Sequence, residues 1–459
     1  MIAPIIDRTQ ELARLTEAIE RPPQLVVLRG RRRVGKSFLL VHALARHRGV
    51  FFQADEQTER AHLDLFATEV STLLKPRVPL RFETWDEALE TLGALAQEGP
   101  LAIVLDEFQW LQAAQPSLDS ILQRHWDRWQ RQGTPITLVL SGSALRLMER
   151  LLDPGAPLYG RADYRPLLLP LDFRDASRFA PRNLDAEQKL RRFAVLGGTP
   201  QYQVWAGEDS LEDLIAERVL SKGESLYEEP LHLLREEQEI RDPANYFAIV
   251  REIAAGRTRT GEISNATQLP TPNLAKMLSR LEALGYLEGR APLGPNEPEA
   301  KRASYRLVDP FFRFWFRFVF PNRSLLERGR VKAVLQIVRR DMDTFMGKAF
   351  EDCCREWAGR YAGDALPASQ HLGNWWSRDG QVEIDIVGAS RGRYDLLGSC
   401  KWGQEAPTAA LGQLLSHRDS LPRAGSARLA IFARGFEPEL ERRAKEEQVS
   451  LVTAERLFR

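Results

Sequence analysis

The residues with the clearest capacity for chemistry lie in one short segment near the beginning of the chain. Residues 30–37, GRRRVGKS, match the pattern G-x-x-x-x-G-K-[ST], in which backbone N–H groups of a glycine-containing loop surround phosphate oxygens. In this pattern the lysine reaches the β- and γ-phosphates and the hydroxyl residue binds Mg²⁺. The segment therefore predicts a site for ATP with Mg²⁺. The predicted binding residues are Gly30, Arg31, Arg32, Arg33, Val34, Gly35, Lys36, Ser37 and Phe38.

Two adjacent carboxylates supply the second half of such a site. The apolar residues 101–105 are followed by Asp106 and Glu107. We expect Asp106 to hold Mg²⁺ together with Ser37, and Glu107 to act as the general base that activates the attacking water. A strand that merely ends at the surface in acidic residues is the alternative, but it does not account for the loop pattern upstream. The two motifs together predict an ATPase.

Polar residues after a further apolar run are candidates for sensing the γ-phosphate. Residues 136–140 are followed by Ser141-Gly142-Ser143. Ser141 is the first candidate and Ser143 the second, and a simple helix cap is the other interpretation of Ser143. The three arginines inside the loop either touch phosphate or face solvent and carboxylates, and the sequence leaves both open.

Short apolar runs that alternate with longer amphipathic ones indicate the elements that must position these residues. Strand, helix, strand repetition of this kind is typical of an α/β fold with a parallel sheet and helices on both faces. Strands are predicted at 24–29, 50–53, 101–105, 136–140 and 165–169, and helices at 36–46, 84–97 and 117–130.

Roughly the first 205 residues resemble the archaeal-type P-loop ATPases of the STAND branch, which are related to AAA+ proteins. Besides the two motifs, the matching segments are Asp7-Arg8 with Glu11-Leu12, LSGSA at 140–144, PLYGR at 157–161 and GGTPQY at 197–202. The resemblance implies that adenine lies near Arg8. It also implies an inserted strand order of the ASCE type, with Gly30 and Asp106 on neighbouring strands, and a conformational switch around ATP.

The same resemblance makes Arg161 a candidate arginine finger or sensor. It would stabilise charge on the γ-phosphate, from within one chain or across two. A salt bridge from Arg161 to Asp163 or to another carboxylate is the alternative interpretation.

The remainder of the chain divides into segments with different patterns. Seven aromatic residues lie in the ten positions 311–320; buried packing between domains is the favoured interpretation, and a surface for stacking nucleic-acid bases is the alternative. The predicted divisions are a P-loop ATPase domain at 1–172, a helical lid at 173–242, a winged helix-turn-helix at 243–308, an aromatic helical connector at 309–340 and a nuclease-like domain at 341–459.

A modest positive charge marks residues 243–308, which contain nine Lys and Arg against six Asp and Glu. Three helices followed by two short strands predict the winged helix-turn-helix, with its third helix and its wing on DNA phosphates. A module that only packs or contacts protein is the alternative. The predicted DNA-binding residues are Asn273, Lys276, Arg280 and Arg302, with Lys301 and Arg306 adding charge at the wing.

The final block resembles the domain of unknown function that follows many such ATPases, which is itself related to the PD-(D/E)xK nucleases. The resemblance implies that Glu351, Asp385 and Lys401 are parts of a metal-dependent nuclease site. The chain departs from the family pattern at Ser399, where the family has an acidic residue. That departure predicts weakened metal binding, unless Glu383 substitutes for the absent carboxylate.

Composition excludes several other classes of protein. The formal charge of +1 leaves no global field for nucleic acid or membranes, and three cysteines, two of them adjacent, form no disulfide framework. There is no apolar run of about 18 residues and no secretory signal, so we expect a soluble cytoplasmic protein with no membrane partner.

These observations favour a Mg²⁺-dependent ATPase that acts as a nucleotide switch and positions a winged helix and a degenerate nuclease-like domain on DNA. Two other hypotheses stay open. One is an ATP-gated signalling or scaffold protein that binds protein partners, and the other is an active ATP-regulated DNA nuclease.

Overall fold

The computed structural model describes residues 6–76, 79–237, 240, 242–295, 304–377 and 381–459. The chain forms two compact units, Met1–Pro170 and Leu171–Arg459, called unit 1 and unit 2 below. In these described ranges, no helix is both long and apolar enough to cross a bilayer.

Unit 1 is built on a parallel sheet of four strands in the order β1-β4-β3-β2. Seven α-helices accompany the sheet. The strands are β1 (Gln24–Arg29), β2 (Gly49–Gln53), β3 (Leu101–Asp106) and β4 (Ile136–Gly142); the helices are α1 (Thr9–Glu20), α2 (Lys36–Leu44), α3 (Glu59–Leu74), α4 (Trp85–Leu95), α5 (Phe108–Ala114), α6 (Leu118–Gln132) and α7 (Leu145–Arg150).

Both faces of this sheet are covered, as the sequence pattern predicts. Successive side chains of a strand point to opposite faces, and those of β1 enter two different hydrophobic clusters. Leu25 and Val27 pack with residues of α3, α4 and α6, whereas Val26 and Leu28 pack with residues of α1 and α2. The continuous apolar sequences of β1, β3 and β4 follow from this double burial.

Two expectations about the sheet are wrong. Residues 165–169 form no regular strand, although the backbone from Tyr164 to Leu168 makes hydrogen bonds to Val27 and Arg29 of β1. Leu168 is buried, but the side chains of Leu167 and Leu169 are exposed, so burial holds only one leucine of this segment. In addition, β4 lies between β1 and β3. Gly30 follows β1 and Asp106 ends β3, so these two residues do not belong to neighbouring strands.

Unit 2 begins with a helical region and then a ribbon of two antiparallel strands. A π-helix, Leu214–Val219, interrupts the α-helices. The α-helices are α8 (Phe173–Ser177), α9 (Ala186–Leu196), α10 (Pro200–Ala206), α11 (Leu211–Asp213), α12 (Ser225–Glu236), α13 (Pro243–Ala254), α14 (Thr260–Thr267) and α15 (Thr271–Ala283), and the ribbon consists of β5 (Leu287–Arg290) and β6 (Ser304–Leu307).

The aromatic segment packs in the interior of unit 2. Helix α16 (Pro310–Phe314) continues into a π-helix, Trp315–Val319, and every aromatic residue from 311 to 318 is buried. The ring of Phe318 lies 5.4 Å from that of Phe345, and the indole of Trp315 donates to the carbonyl of Tyr227 at 2.7 Å. Buried packing, rather than a stacking surface for bases, is therefore the correct interpretation.

The chain ends in a second sheet, preceded by α17 (Arg323–Leu326) and the long helix α18 (Val331–Arg360). The strand order is β11-β10-β9-β8-β7. Helix α18 begins at Val331 and crosses the predicted division between residues 340 and 341. The elements are β7 (His371–Trp376), β8 (Glu383–Ser390), β9 (Arg393–Lys401), α19 (Thr408–Ser420), β10 (Arg428–Ala433), α20 (Pro438–Glu446) and β11 (Ser450–Thr453).

Candidate active site

The glycine-containing loop connects the carboxyl end of β1 to the first residue of α2. A Cβ atom on Gly30 would lie 2.7 Å from the carbonyl oxygen of Leu168, so only glycine fits this close approach. Gly35 has φ 94°, a left-handed conformation that directs the chain into α2 at Lys36. The loop therefore presents the N-terminus of a helix, where unpaired N–H groups and the helix dipole attract phosphate.

Lys36 lies buried inside this loop, with 4% of its side chain exposed. Its Nζ donates to the carbonyl oxygen of Gly30 at 3.0 Å and to that of Arg31 at 3.3 Å. Burial lowers the pKa of Lys36, and the charges of Glu107 and Asp106 only partly oppose that shift. An anionic phosphate would restore the balance of charge around the ammonium group.

Asp106, the last residue of β3, is fully buried beside the loop. Its Oδ2 accepts from the Ser37 hydroxyl at 2.5 Å, and its Oδ1 makes no hydrogen bond to any described residue. Burial raises the pKa of Asp106, although the hydroxyl groups of Ser37 and Ser141 oppose the rise. The Ser141 hydroxyl is close enough to Asp106 to affect its pKa. It is buried, and it forms no hydrogen bond of good geometry with any described residue.

These polar groups fit a Mg²⁺ ion. Mg²⁺ prefers oxygen ligands and keeps several of its waters, and a buried carboxylate with one unused oxygen beside a hydroxyl is such a donor set. Ser37 and Asp106 would hold the ion, and the Oδ1 atom of Asp106 would find a partner in the ion or in its waters. The sequence prediction of both residues agrees with this geometry.

Glu107 stands at the junction of β3 and α5, where its backbone adopts φ 51°. This left-handed conformation is uncommon for a residue with a side chain. Its Oε2 accepts from Ser143 Oγ at 2.6 Å and from the side-chain amide of Gln109, and its Oε1 lies 3.8 Å from Lys36 Nζ. Burial favours a raised pKa, but Lys36, Ser143 and Gln109 outweigh it and lower the pKa of Glu107. The carboxylate is therefore ionised at neutral pH.

The strand order explains how the acids reach the loop. Strand β4 lies between β1 and β3 and ends in Ser141 and Ser143. Because parallel strands end at the same edge of a sheet, Ser141 lies beside Asp106 while Ser143 binds Glu107. The helix-cap interpretation of Ser143 is not supported, since the α7 N-cap is Ala144.

Arg161 and Arg8, the two arginines predicted for the ATP site outside the loop, are engaged elsewhere in unit 1. Arg161 forms a bidentate ion pair with Asp127 at 2.7 and 2.9 Å, and its remaining nitrogen donates to the carbonyls of Pro157 and Tyr159. A salt bridge is thus the interpretation that the structure supports, with Asp127 as the partner rather than Asp163. Arg8 pairs with Glu11 at 3.4 Å and donates to a backbone carbonyl.

A second group of acids occurs in unit 2, on α18 and β8. Ligand atoms of Glu351, Glu383 and Asp385 all lie within 4.8 Å of one another. Lys348 Nζ donates to Glu351 Oε2 at 3.0 Å and to Glu383 Oε1 at 3.2 Å. Burial raises the pKa of Glu351 to about 7 despite the nearby ammonium group. We call these four residues the carboxylate cluster.

Strand β9 supplies the remaining predicted nuclease-like residues. Asp385 Oδ2 accepts from the backbone N–H of Cys400 at 2.7 Å and from Ser399 Oγ at 3.4 Å. Burial raises the pKa of Asp385, and the hydrogen bond from Cys400 and the charge of Lys401 oppose the rise. Ser399 thus donates a hydrogen bond at the position where the resemblance implies a carboxylate. Cys400 itself points into the core, as strand alternation predicts.

The predicted DNA-binding residues differ in their surroundings. Asn273 and Lys276 are exposed on α15, whereas Arg280 is half-buried and donates to Tyr246. Arg302 and Lys301 lie outside the described residues. Arg306, which is predicted to add positive charge at the wing, is paired with Asp352 and Glu288.

Three residues at these sites have no predicted role. Gln109 is buried and donates to both Glu107 and Ser143, Asp127 binds Arg161, and Lys348 binds two carboxylates. Gln109 offers a signal, since it is a polar residue two positions after the acid pair and is flanked by Phe108 and Trp110. Asp127 and Lys348 are ordinary charged positions on amphipathic helices, and only the fold reveals their partners.

Comparison with known proteins defines the class of this site. Residues 5–203 match the family described as an ATPase domain predominantly from Archaea, and residues 315–411 match a family described as archaeal and bacterial proteins of unknown function. The chain is an ATPase built on a P-loop α/β fold, as the two sequence motifs predict.

The chain is also similar to individual proteins of known sequence or structure. An uncharacterized protein of Methanocaldococcus jannaschii is 26% identical over 386 residues, which are 83% of each chain. The structure of a Walker-type ATPase of Pyrococcus abyssi matches with a TM-score of 0.52 and 22% identity, covering 68% of this chain and 96% of that one, and it shows the shared fold. The Aeropyrum pernix ORC2 protein, in ADPNP and ADP complexes, matches with a TM-score of 0.47 and 14% identity over 74% of this chain and 97% of that one.

Proposed function

We propose that the chain is a Mg²⁺-dependent nucleotide switch of the STAND branch, in which ATP binding and hydrolysis in unit 1 control a DNA-binding module in unit 2. The observation that carries the proposal is the position of Glu107. Its carboxylate is ionised, fixed by two side-chain donors and 3.8 Å from the lysine of the phosphate-binding loop. A general base needs this combination of charge, orientation and closeness to phosphate.

The residues of unit 1 divide the work of hydrolysis. Lys36 and the N–H groups of the loop bind the phosphates, and Ser37 and Asp106 hold Mg²⁺, which when bound neutralises charge that develops on the phosphate oxygens. Glu107 accepts the proton of the attacking water, while Ser143 and Gln109 keep its carboxylate in place. Ser141, on β4 between the strand that precedes the loop and the strand that ends in the acids, senses the γ-phosphate.

The proposed DNA-binding module comprises α13, α14, α15 and the ribbon of β5 and β6, residues 243–308. Asn273 and Lys276 are exposed on the same side of α15, while Leu274 and Leu278 are buried. An exposed polar face of this kind suits phosphate contacts, which weaken as salt rises.

The other proposed domain divisions are 1–172, 173–242, 309–340 and 341–459, although α18 crosses the boundary at 340. The cellular location that we propose is the cytoplasm, because three buried free thiols favour a reducing compartment.

Turnover of ATP with and without DNA tests this proposal. We expect duplex or single-stranded DNA to stimulate hydrolysis by the wild-type chain, and filter binding to weaken steeply with salt. Lys276→Ala should reduce both effects, whereas Lys332→Ala, an exposed lysine on α18, is the matched control and should reduce neither. Absence of any DNA binding at low salt would contradict the proposal and favour the scaffold hypothesis.

An active nuclease is a second candidate function, which the closeness of Glu351, Glu383 and Asp385 favours. Two observations favour a degenerate site instead: Lys348 already binds two of the acids, and Ser399 replaces a carboxylate. Incubation of the protein with DNA and either Mg²⁺ or Mn²⁺ distinguishes an active nuclease from a degenerate site. Cleavage that Asp385→Ala abolishes would establish a nuclease, and inert wild-type protein would establish the degenerate site.

A further inference from the structure

A cavity of about 410 Å³ in unit 2 has an unusual concentration of positive charge. It is lined by residues of α13, the ribbon, α16, the segment after α16 and α18. Five of the lining residues are cationic and two are acidic. The cationic residues are Arg290, Arg306, Arg313, Arg317 and Lys348.

The described acidic side chains nearby pair with Lys348, Arg306 and Arg313 but with neither of the other two cations. Asp352 is surrounded by three guanidinium groups, since it accepts from Arg306, from Arg313 at 2.7 Å and from Arg355 at 3.1 Å. Although burial favours a raised pKa, these charges hold the pKa of Asp352 far below its usual range. Its carboxylate oxygens are therefore already occupied by three guanidinium groups, and the charges of Asp352 and Glu288 oppose only part of the shift in the pKa of Arg290.

Arg290 and Arg317 are the two arginines without a direct partner. Neither forms an ion pair or a side-chain hydrogen bond with any other residue in the described ranges. Arg290 is half-buried on β5, and burial together with the charges of Arg306 and Arg355 lowers its pKa to about 10. Arg317 is exposed. A half-buried guanidinium without a counterion is costly, and a bound anion removes that cost.

The remaining wall of the cavity is apolar. Ile253, Leu307, Phe345 and Ala349 line it, so the ligand that fits has an anionic group and an organic part. The volume lies in the range of pockets for small organic ligands. Guanidinium groups bind phosphate through paired N–H donors, which makes arginine the characteristic residue of phosphate recognition.

We propose that this cavity binds a phosphate monoester of nucleotide size, with its phosphate on Arg290 and Arg317 and its organic part against the apolar wall. The same chemical group occurs on a free nucleotide and on the 5′ end of a nucleic acid. The proposal concerns unit 2 alone and does not depend on ATP hydrolysis in unit 1.

The test is calorimetric titration of the full chain carrying Lys36→Ala, in EDTA, so that neither the phosphate-binding loop nor a metal contributes. Thymidine 5′-monophosphate is compared with thymidine, and a 5′-phosphorylated thymidine hexamer with its 5′-hydroxyl twin. We expect each phosphorylated probe to bind at least about tenfold more tightly than its twin. The tighter of the two phosphorylated probes identifies the source, and either result supports the proposal.

Variants of the arginines complete the test. Arg290→Gln and Arg317→Gln should each weaken binding of thymidine 5′-monophosphate by about tenfold. Arg428→Gln, an exposed arginine on β10, should leave it unchanged. Because Arg317 is exposed, its substitution should also leave thermal stability unchanged. Equal binding of phosphorylated and unphosphorylated probes, or unchanged binding by both folded cavity variants, would overturn the proposal.

Discussion

Two groupings of one lysine with carboxylates, one in each unit, differ in the direction in which the pKa of the lysine is shifted. In unit 1, Lys36 lies among Asp106 and Glu107, and its pKa is lowered because burial prevails over the acids. In the carboxylate cluster of unit 2, burial likewise acts to lower the pKa of Lys348, but the charges of Glu351 and Glu383 prevail and raise it. The first lysine lacks a sufficient counterion, and the second already has one.

The acids show the complementary difference. Glu107 receives two side-chain hydrogen bonds, and with Lys36 they lower its pKa, whereas Glu351 has one shared ammonium group and a pKa raised to about 7. Unit 1 therefore has an ionised base beside a cation that needs an anion, which is the arrangement for receiving ATP. In the carboxylate cluster, the ammonium group of Lys348 partly neutralises the negative charge of Glu351 and Glu383, which opposes metal binding.

The largest expected effect separates the two lysines. Lys36→Ala should weaken ATP binding by about a hundredfold or more, because it removes the buried cation that contacts phosphate. Lys348→Ala should leave ATP binding unchanged. Equilibrium titration with a fluorescent ATP analogue measures both, and equal loss of affinity in the two variants would remove the distinction between the sites.

A smaller effect is expected for metal binding at the carboxylate cluster. Lys348→Met should raise Mn²⁺ affinity by about tenfold, since the ammonium group no longer competes for Glu351 and Glu383. Lys348→Arg, which keeps the charge, is the control. Affinity should also rise from pH 6 to pH 8, because the pKa of Glu351 is about 7 and only the ionised acid binds metal. Electron paramagnetic resonance of free Mn²⁺ reports the result, and no difference between the two variants would show that Lys348 does not block the cluster.

The smallest effect concerns the donors to Glu107. Ser143→Ala should lower kcat for ATP hydrolysis by roughly tenfold and leave KM nearly unchanged, because Ser143 orients the base without contacting the loop. Gln109→Ala should act in the same direction. Ser120→Ala, on α6, is a matched control for loss of a hydroxyl. Steady-state kinetics would contradict this role if KM rose while kcat stayed constant.

Much of unit 1 is predictable from the sequence because its signals are local. The loop pattern, the apolar run before Asp106 and the run before Ser141 each specify a strand end, and parallel strands bring their ends to one edge. The strand order is not local, and the expectation that Gly30 and Asp106 follow neighbouring strands is wrong because β4 lies between them. The segment at 165–169 has a strand-like composition and lies along β1, but only Leu168 of its three leucines is buried and it forms no regular strand.

Side-chain partners are harder to predict than elements. Arg161 is chosen from a resemblance as a phosphate contact, but Asp127 on α6 binds it. Arg306 is predicted as a positive charge at the wing, but it forms an ion pair with Asp352 of α18. In both cases the partner is many positions away in the chain, and charge patterns along one element contain no information about it.

The most direct measurement of the central claim is single-turnover hydrolysis of ATP by Glu107→Gln, with the bound fraction determined on the same sample. The glutamine keeps the shape of the side chain but does not accept a proton from water. We predict ATP affinity within a fewfold of the wild-type value and a hydrolysis rate lowered by about 10²–10⁴. Hydrolysis at the wild-type rate by fully bound protein would contradict the assignment of Glu107 as the general base.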